Sequence, residues 1–163
     1  MIDTTELPGE TTLTDEVASS IHLHSSIAEE YRQEIEDLFF FNPKQAVVRD
    51  RVRQHVERYG MPAIRCHDGM AFLELGLVEH AQTLFILAGE DPEKLIGVLL
   101  YVREGDCLRV LYLALSPDCT ADWGSSCPVI SCLFDRLRRL ARNIKGVRQI
   151  KFSLDRNDVT VKL

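Results

Sequence analysis

The stretch from Cys107 to Leu154 constrains the fold of this chain most, because it reads as strand, loop, helix and strand in immediate succession. The run Leu108 to Leu115, LRVLYLAL, is apolar at both alternating sets of positions, which marks a strand covered on both faces of a sheet. It closes at Ser116-Pro117, and a polar loop from Asp118 to Ser126 leads to Pro128, a residue suited to the first turn of a helix because its missing N–H would have no partner there. Ile130, Leu133, Phe134, Leu137, Leu140, Ala141 and Ile144 then recur at steps of three and four, leaving Arg136, Arg138, Arg139 and Arg142 for solvent. Gly146 ends that helix, and Ile150, Phe152 and Leu154 alternate with Gln149, Lys151 and Ser153 as in a strand with one buried face. Two strands joined through a helix are expected to run parallel through a right-handed crossover.

Such a crossover aims its loop and helix N-terminus at the carboxyl end of the first strand, where N–H groups and the helix dipole favour an anion. A phosphorylated cofactor would sit there; a plain crossover with a solvated loop is the simpler reading of the same residues.

At 163 residues with 45% apolar side chains, the chain is expected to form one domain with a substantial core. No apolar run reaches the roughly 20 residues of a membrane span, and no secretory signal opens the chain, so the expectation is a cytoplasmic protein without a membrane partner. Cys66, Cys107, Cys119, Cys127 and Cys132 lack the close pairing of a disulfide framework and fit a reducing compartment. Residues 1–42 carry ten acids against one base, Arg32, while the remainder holds fifteen acids and eighteen bases. That balance gives no strong field for nucleic acid.

Residues 1–20 are rich in Thr, Glu, Asp and Ser without periodicity and are expected to form a flexible acidic tail, followed by a single domain over 21–163. Ile21 and Leu23 alternate with His22 and His24 and permit a short edge strand; no ligand pair elsewhere completes a metal site with the histidines. Ser26-Ile27-Ala28-Glu29 has the form of a capping box, placing a helix start there, with Ile27, Tyr31, Ile35, Leu38 and Phe39 as its stripe. Asn42-Pro43 starts a second helix carrying Val48, Val52, Val56 and Tyr59 to its end at Gly60 and Pro62. An irregular stretch around Cys66-His67-Asp68-Gly69 precedes strands at 70–75, 83–88 and 94–104, joined by Gly89 to Glu93, and Gly105-Asp106 turns into the strand at Leu108. The three strands are expected to form an antiparallel meander, and a short alternating tail holds Val159, Val161 and Leu163. The expected fold is α+β, a mixed, mostly antiparallel sheet with a parallel crossover pair and helices on both faces.

This succession resembles the GNAT superfamily of acyl-CoA-dependent N-acyltransferases over about Thr83 to Leu154, with weaker agreement in the two preceding helices. "LFILAGEDPEKLIGVLLYV" is similar to that family's hairpin, with Gly97 as the small residue after the turn, "LYLALSPD" to its central strand, and "VISCLFDRLRRLARNIKGVRQIKFSL" to its crossover helix and next strand. The resemblance implies an acyl-CoA N-acyltransferase-like fold in which the central strand and its neighbour splay apart around the pantetheine of acetyl-CoA or another acyl-CoA. It further implies acyl transfer from the thioester to an amine, with backbone donors of Leu113 and Leu115, and Gly124, Ser125 and Ser126 in the pyrophosphate loop. The family's loop carries Gln or Arg, two residues, Gly, one residue, then Gly or Ala; aligned on Gly124, this chain has Ala121 and Ser126 at the other two places, and Pro128 removes a donor from the first turn. Nine residues follow Leu154 where the family has a further helix and two strands; either a partner subunit supplies them or they are absent and leave an exposed sheet edge that invites pairing, and a homodimer is the expectation.

Acyl transfer also needs a base for the amine proton and an acid for the thiolate. Tyr112 on the central strand and Glu79 are the candidates, with Glu74 and His80 beside them; Tyr112 reads more simply as a packed aromatic and Glu79-His80 as loop surface. Cys127 near a helix N-terminus is the thiol nucleophile to weigh, yet no histidine follows it in sequence, and Cys119, Cys127 and Cys132 lack zinc spacing. The alternative to an enzyme is a domain of the same shape that acts through dimerisation or by regulating a partner.

Overall fold

The computed structural model of the chain describes residues 21–40, 56–89, 93–116, 128–154 and 157–163. In chain order its elements are β1 (Ile21–His24), β2 (Ile27–Ala28), a 3-10 turn (Glu29–Tyr31), α1 (Arg32–Phe40), β3 (Pro62–His67), β4 (Met70–Leu75), β5 (Gln82–Ala88), β6 (Lys94–Glu104), β7 (Cys107–Leu115), α2 (Pro128–Asn143), β8 (Gln149–Leu154) and β9 (Asn157–Lys162). Six strands form one mixed sheet in the order β1-β5-β6-β7-β8-β9, and β2-β4-β3 form a second. Every pairing in the large sheet is antiparallel except β7 with β8, which run parallel on either side of α2. The fold is therefore α+β with a mixed sheet and one parallel pair.

Alternation along the central strands divides the core between two faces. Phe85 and Leu87 of β5 and Val98 and Leu100 of β6 pack with Ile35 and Leu38 of α1, and Ile27, Ala71, Leu73 and Leu75 of the small sheet join that cluster. On the opposite face Leu84, Leu99, Leu108 and Val110 meet Leu137 and Ala141 of α2, while Ile21, Ile86 and Leu115 meet Leu133. Because both faces are covered, β5 and β6 are nearly continuous apolar runs rather than alternating ones. α2 ends as its sequence indicates: Gly146 adopts φ +86°, which a side chain would strain. The Arg103 guanidinium also donates 2.9 Å to the Lys145 carbonyl, tying that end to β6.

Three expectations are corrected. Strand 70–75 does not join the meander, which consists of β5, β6 and β7; as β4 it pairs with β3 instead. The stretch expected to be irregular is the close of β3 and a two-residue turn in which Asp68 (φ +51°) and Gly69 (φ +76°) both take left-handed backbone, as a tight hairpin requires. Nor does Ser26 cap a helix: Ile27 and Ala28 pair with β4, the Glu29 N–H donates 2.9 Å to the Gly69 carbonyl, and Ala28 at the cap position makes no side-chain cap bond. The small sheet supplies those backbone partners, so the helix proper starts only at Arg32. The expected second helix lies outside the described residues up to 55; its last turn, 56–59, is helical and Gly60 ends it at φ +89°, its N–H donating 2.9 Å to Val56 O. The alternating C-terminal tail is β9, a full strand on β8.

Candidate functional site

The parallel pair lapses partway along β7. Cys107 to Val110 match Gln149 to Phe152 one for one, after which, among the described residues, β7 continues to Leu115 paired with β6 alone while Ser153 and Leu154 pair only with β9. Two neighbouring strands thus both run on past their last mutual pair.

A bulge starts where the lapse starts. Leu100 lies opposite Tyr112 and Tyr101 opposite Val110, so Leu111 is one residue extra on β7. Leu108 and Val110 face α2, whereas Leu111 and Tyr112 both pack on the α1 face. Without the extra residue, Tyr112 would fall on the α2 side with the other even-numbered positions. Beyond the bulge the Ser116 N–H donates 2.7 Å to Ile96 O, so Ser116, Ala114 and Tyr112 direct their main-chain groups at β6. By the same alternation Leu113 and Leu115 direct theirs to the side from which β8 has departed.

On the α1 face, the Tyr112 hydroxyl donates 2.9 Å to the Gly60 carbonyl, and its ring meets the edge of Tyr59 with centroids 6.3 Å apart. Burial, with Tyr59 adding, pushes the Tyr112 phenol up to about 12, so at neutral pH it holds its proton. The Leu77 N–H donates 3.2 Å to Tyr59 O, which brings the 76–80 turn next to this cluster. Glu79 and His80 in that turn are exposed, His80 at φ +61°. Glu74 is committed elsewhere, its carboxylate accepting from Arg65 at 3.1 Å across the small sheet.

Of the residues singled out in the sequence, Tyr112, Leu113 and Leu115 stand together at the lapse, and Glu79 lies in the turn that touches Tyr59. Gly124, Ser125, Ser126, Cys119 and Cys127 lie outside the described residues. Cys132, on α2, packs against the Ile21–Leu133 cluster, and among the described residues no group of His, Cys, Asp and Glu could hold a metal ion. No described helix is long and apolar enough to cross a membrane.

A feature the sequence reading missed lies at the other side of β8. Phe134 and Arg138 of α2, Ile150 and Phe152 of β8, and Val159 and Val161 of β9 line an apolar groove of about 190 Å³. Comparison of the chain with protein-family models, curated proteins and solved structures finds no match.

Proposed function

We propose that this protein is a GNAT-like domain that takes the pantetheine arm of acetyl-CoA or another acyl-CoA at the lapse between β7 and β8 and passes the acyl group to an amine. The observation that carries the reading is the end of β7–β8 pairing at Val110–Phe152 while β7 runs on to Leu115. A peptide-like arm lying along β7 there would find the main chain of Leu113 in strand geometry, and an N–H aimed at a thioester carbonyl is the kind of donor that stabilises a developing oxyanion. The thioester brings an activated acyl group and a thiolate that departs. Tyr112, neutral on the adjoining face, is the acid for that thiolate in this reading, once its hydroxyl leaves the Gly60 carbonyl, and the carboxylate of Glu79, in the turn beside it, is the base that takes the proton the amine gives up as its C–N bond forms and the C–S bond breaks. The resemblance assigns Gly124, Ser125 and Ser126, outside the described residues, to the pyrophosphate.

A second reading has a specific observation behind it. The Tyr112 hydroxyl is already used to hold Gly60 against β7, which favours a domain that binds acyl-CoA, or merely keeps the shape, and works through a partner. Thermal unfolding with added CoA and acetyl-CoA separates the outcomes. Ligand at 100 times its Kd stabilises the folded state by about 2.7 kcal/mol, which for a chain of this size corresponds to roughly 5–10 °C in Tm. A shift accompanied by CoA release with a panel of amines supports transfer, a shift without release supports binding alone, and an unmoved Tm at millimolar ligand sinks the transfer reading and leaves a domain that works through a partner.

A further inference from the structure

From the free side of β9 we infer that this chain forms a twofold homodimer by pairing β9 antiparallel with β9 of a second copy, joining two six-stranded sheets. The inference concerns the opposite flank of β8 from the acyl-CoA reading and stands without it. β9 is the last strand of its sheet, and among the described residues nothing pairs its outer side. The Leu163 N–H donates 3.0 Å to Arg148 O, and the register matches Lys162 with Gln149 and Asn157 with Leu154 without a shift. Odd-numbered β9 residues therefore bond β8, and the main chains of Asp158, Thr160 and Lys162 face outward.

Three outward residues restrict how two copies can pair. Matching Asp158 with Asp158 of the partner subunit, or Lys162 with the partner's Lys162, sets like charges directly opposite, which destabilises a pair. A register two residues to either side of the centred one brings only Thr160 and one charged residue into pairing. The centred register matches Thr160 with the partner's Thr160 and Asp158 with the partner's Lys162, and the symmetry repeats the charge pair. All three outward residues then exchange main-chain bonds, on the order of six in total. Val159 and Val161, which line the groove, fall opposite the partner's Val161 and Val159. Val159, 48% exposed at the open edge, gains an apolar neighbour, and the grooves of the two copies meet across the axis on the α2 side. A sequence whose charges alternate so as to satisfy themselves in one antiparallel register fits a second copy of this chain better than an unrelated strand.

Sedimentation of the full chain over a concentration series tests this. Wild type should be dimeric. Asp158→Lys and Lys162→Asp each convert both symmetric pairs to like charges and should weaken the dimer on the order of tenfold or more. An equimolar mixture of the two variants restores opposite charges at both places and should associate more tightly than either alone. Thr160→Pro removes an outward N–H that the β8 ladder does not use, so it should give monomers with an unchanged circular dichroism spectrum. A monomeric wild type at hundreds of micromolar, a dimer indifferent to both reversals, or a mixture no tighter than its components would overturn the proposal.

Discussion

Gly97 stands opposite Leu115, at the end of β7 where the lapse with β8 is widest in sequence. A Cβ built there would lie 2.6 Å from Leu115 Cδ2, 3.0 Å from Ile86 Cδ1 and 3.0 Å from the Ala114 carbonyl oxygen. Leu115 and Ile86 are 4% and 0% exposed, so neither side-chain end has open space to retreat into, and the carbonyl belongs to the backbone. Overpacking of this kind costs about 1–3 kcal/mol, more than the modest gain from replacing glycine within a strand. Gly97→Ala should therefore lower Tm by roughly 3–9 °C. The cause is separable by a double-mutant cycle. Leu115→Ala alone should cost about 2–5 kcal/mol as a buried truncation, yet in the Gly97→Ala background it removes the closest clash. The pair should then be less destabilised than the sum of the singles by about 0.5–3 kcal/mol, the range for residues in contact. Chemical denaturation of the four proteins reads this directly. A Gly97→Ala midpoint at or above wild type, or strict additivity in the cycle, would refute the argument that Leu115 and Gly97 are fitted to one another.

Two further outcomes follow from buried groups. The Tyr112 phenol holds its proton to about 12 when folded, against about 10 for an unperturbed tyrosine, so its contribution to stability is intact below about pH 10 and is lost as pH rises from there toward 12. Tyr112→Phe should cost about 0.5–1.5 kcal/mol at pH 7 through the lost bond to Gly60, while removing part of that alkaline decline; an unchanged slope of stability against pH above 10 would contradict this. Among the cysteines, Cys66 is exposed on β3, whereas Cys107 is 3% exposed and burial raises its thiol pKa, partly offset by Lys151 and Arg109. Peptide mapping after brief alkylation of the native protein should find Cys66 modified well before Cys107, and equal rates would show that β7 opens readily.

The crossover was legible in the sequence because its two periods are long and distinct: Ile130 to Ile144 keeps helical spacing through four turns, and Ile150 to Leu154 then switches to alternation. β7 was legible as a strand for the same reason. What LRVLYLAL could not reveal is the extra residue within it, since a strand apolar on both faces reads alike whether or not its alternation slips by one. That slip at Leu111 decides on which face Tyr112 lies, and hence that it meets Gly60 and Tyr59 rather than α2. The small sheet was hidden by a different competition. Ser26 to Glu29 satisfies a helix-cap pattern locally, but β4 offers the same backbone groups partners from more than 40 residues away, and a pattern of four residues carries no information about them. Asp68-Gly69 was the one local clue: an Asp-Gly pair between two strands asks for left-handed backbone at both positions, and reading it as a hairpin would have recovered β3, β4 and the true start of α1 together. The site follows the same division. The crossover and its parallel pair could be derived from spacing, whereas the point at which that pair lapses coincides with the bulge at Leu111, two residues before β8 ends, and a bulge leaves no mark on a strand that is apolar on both faces.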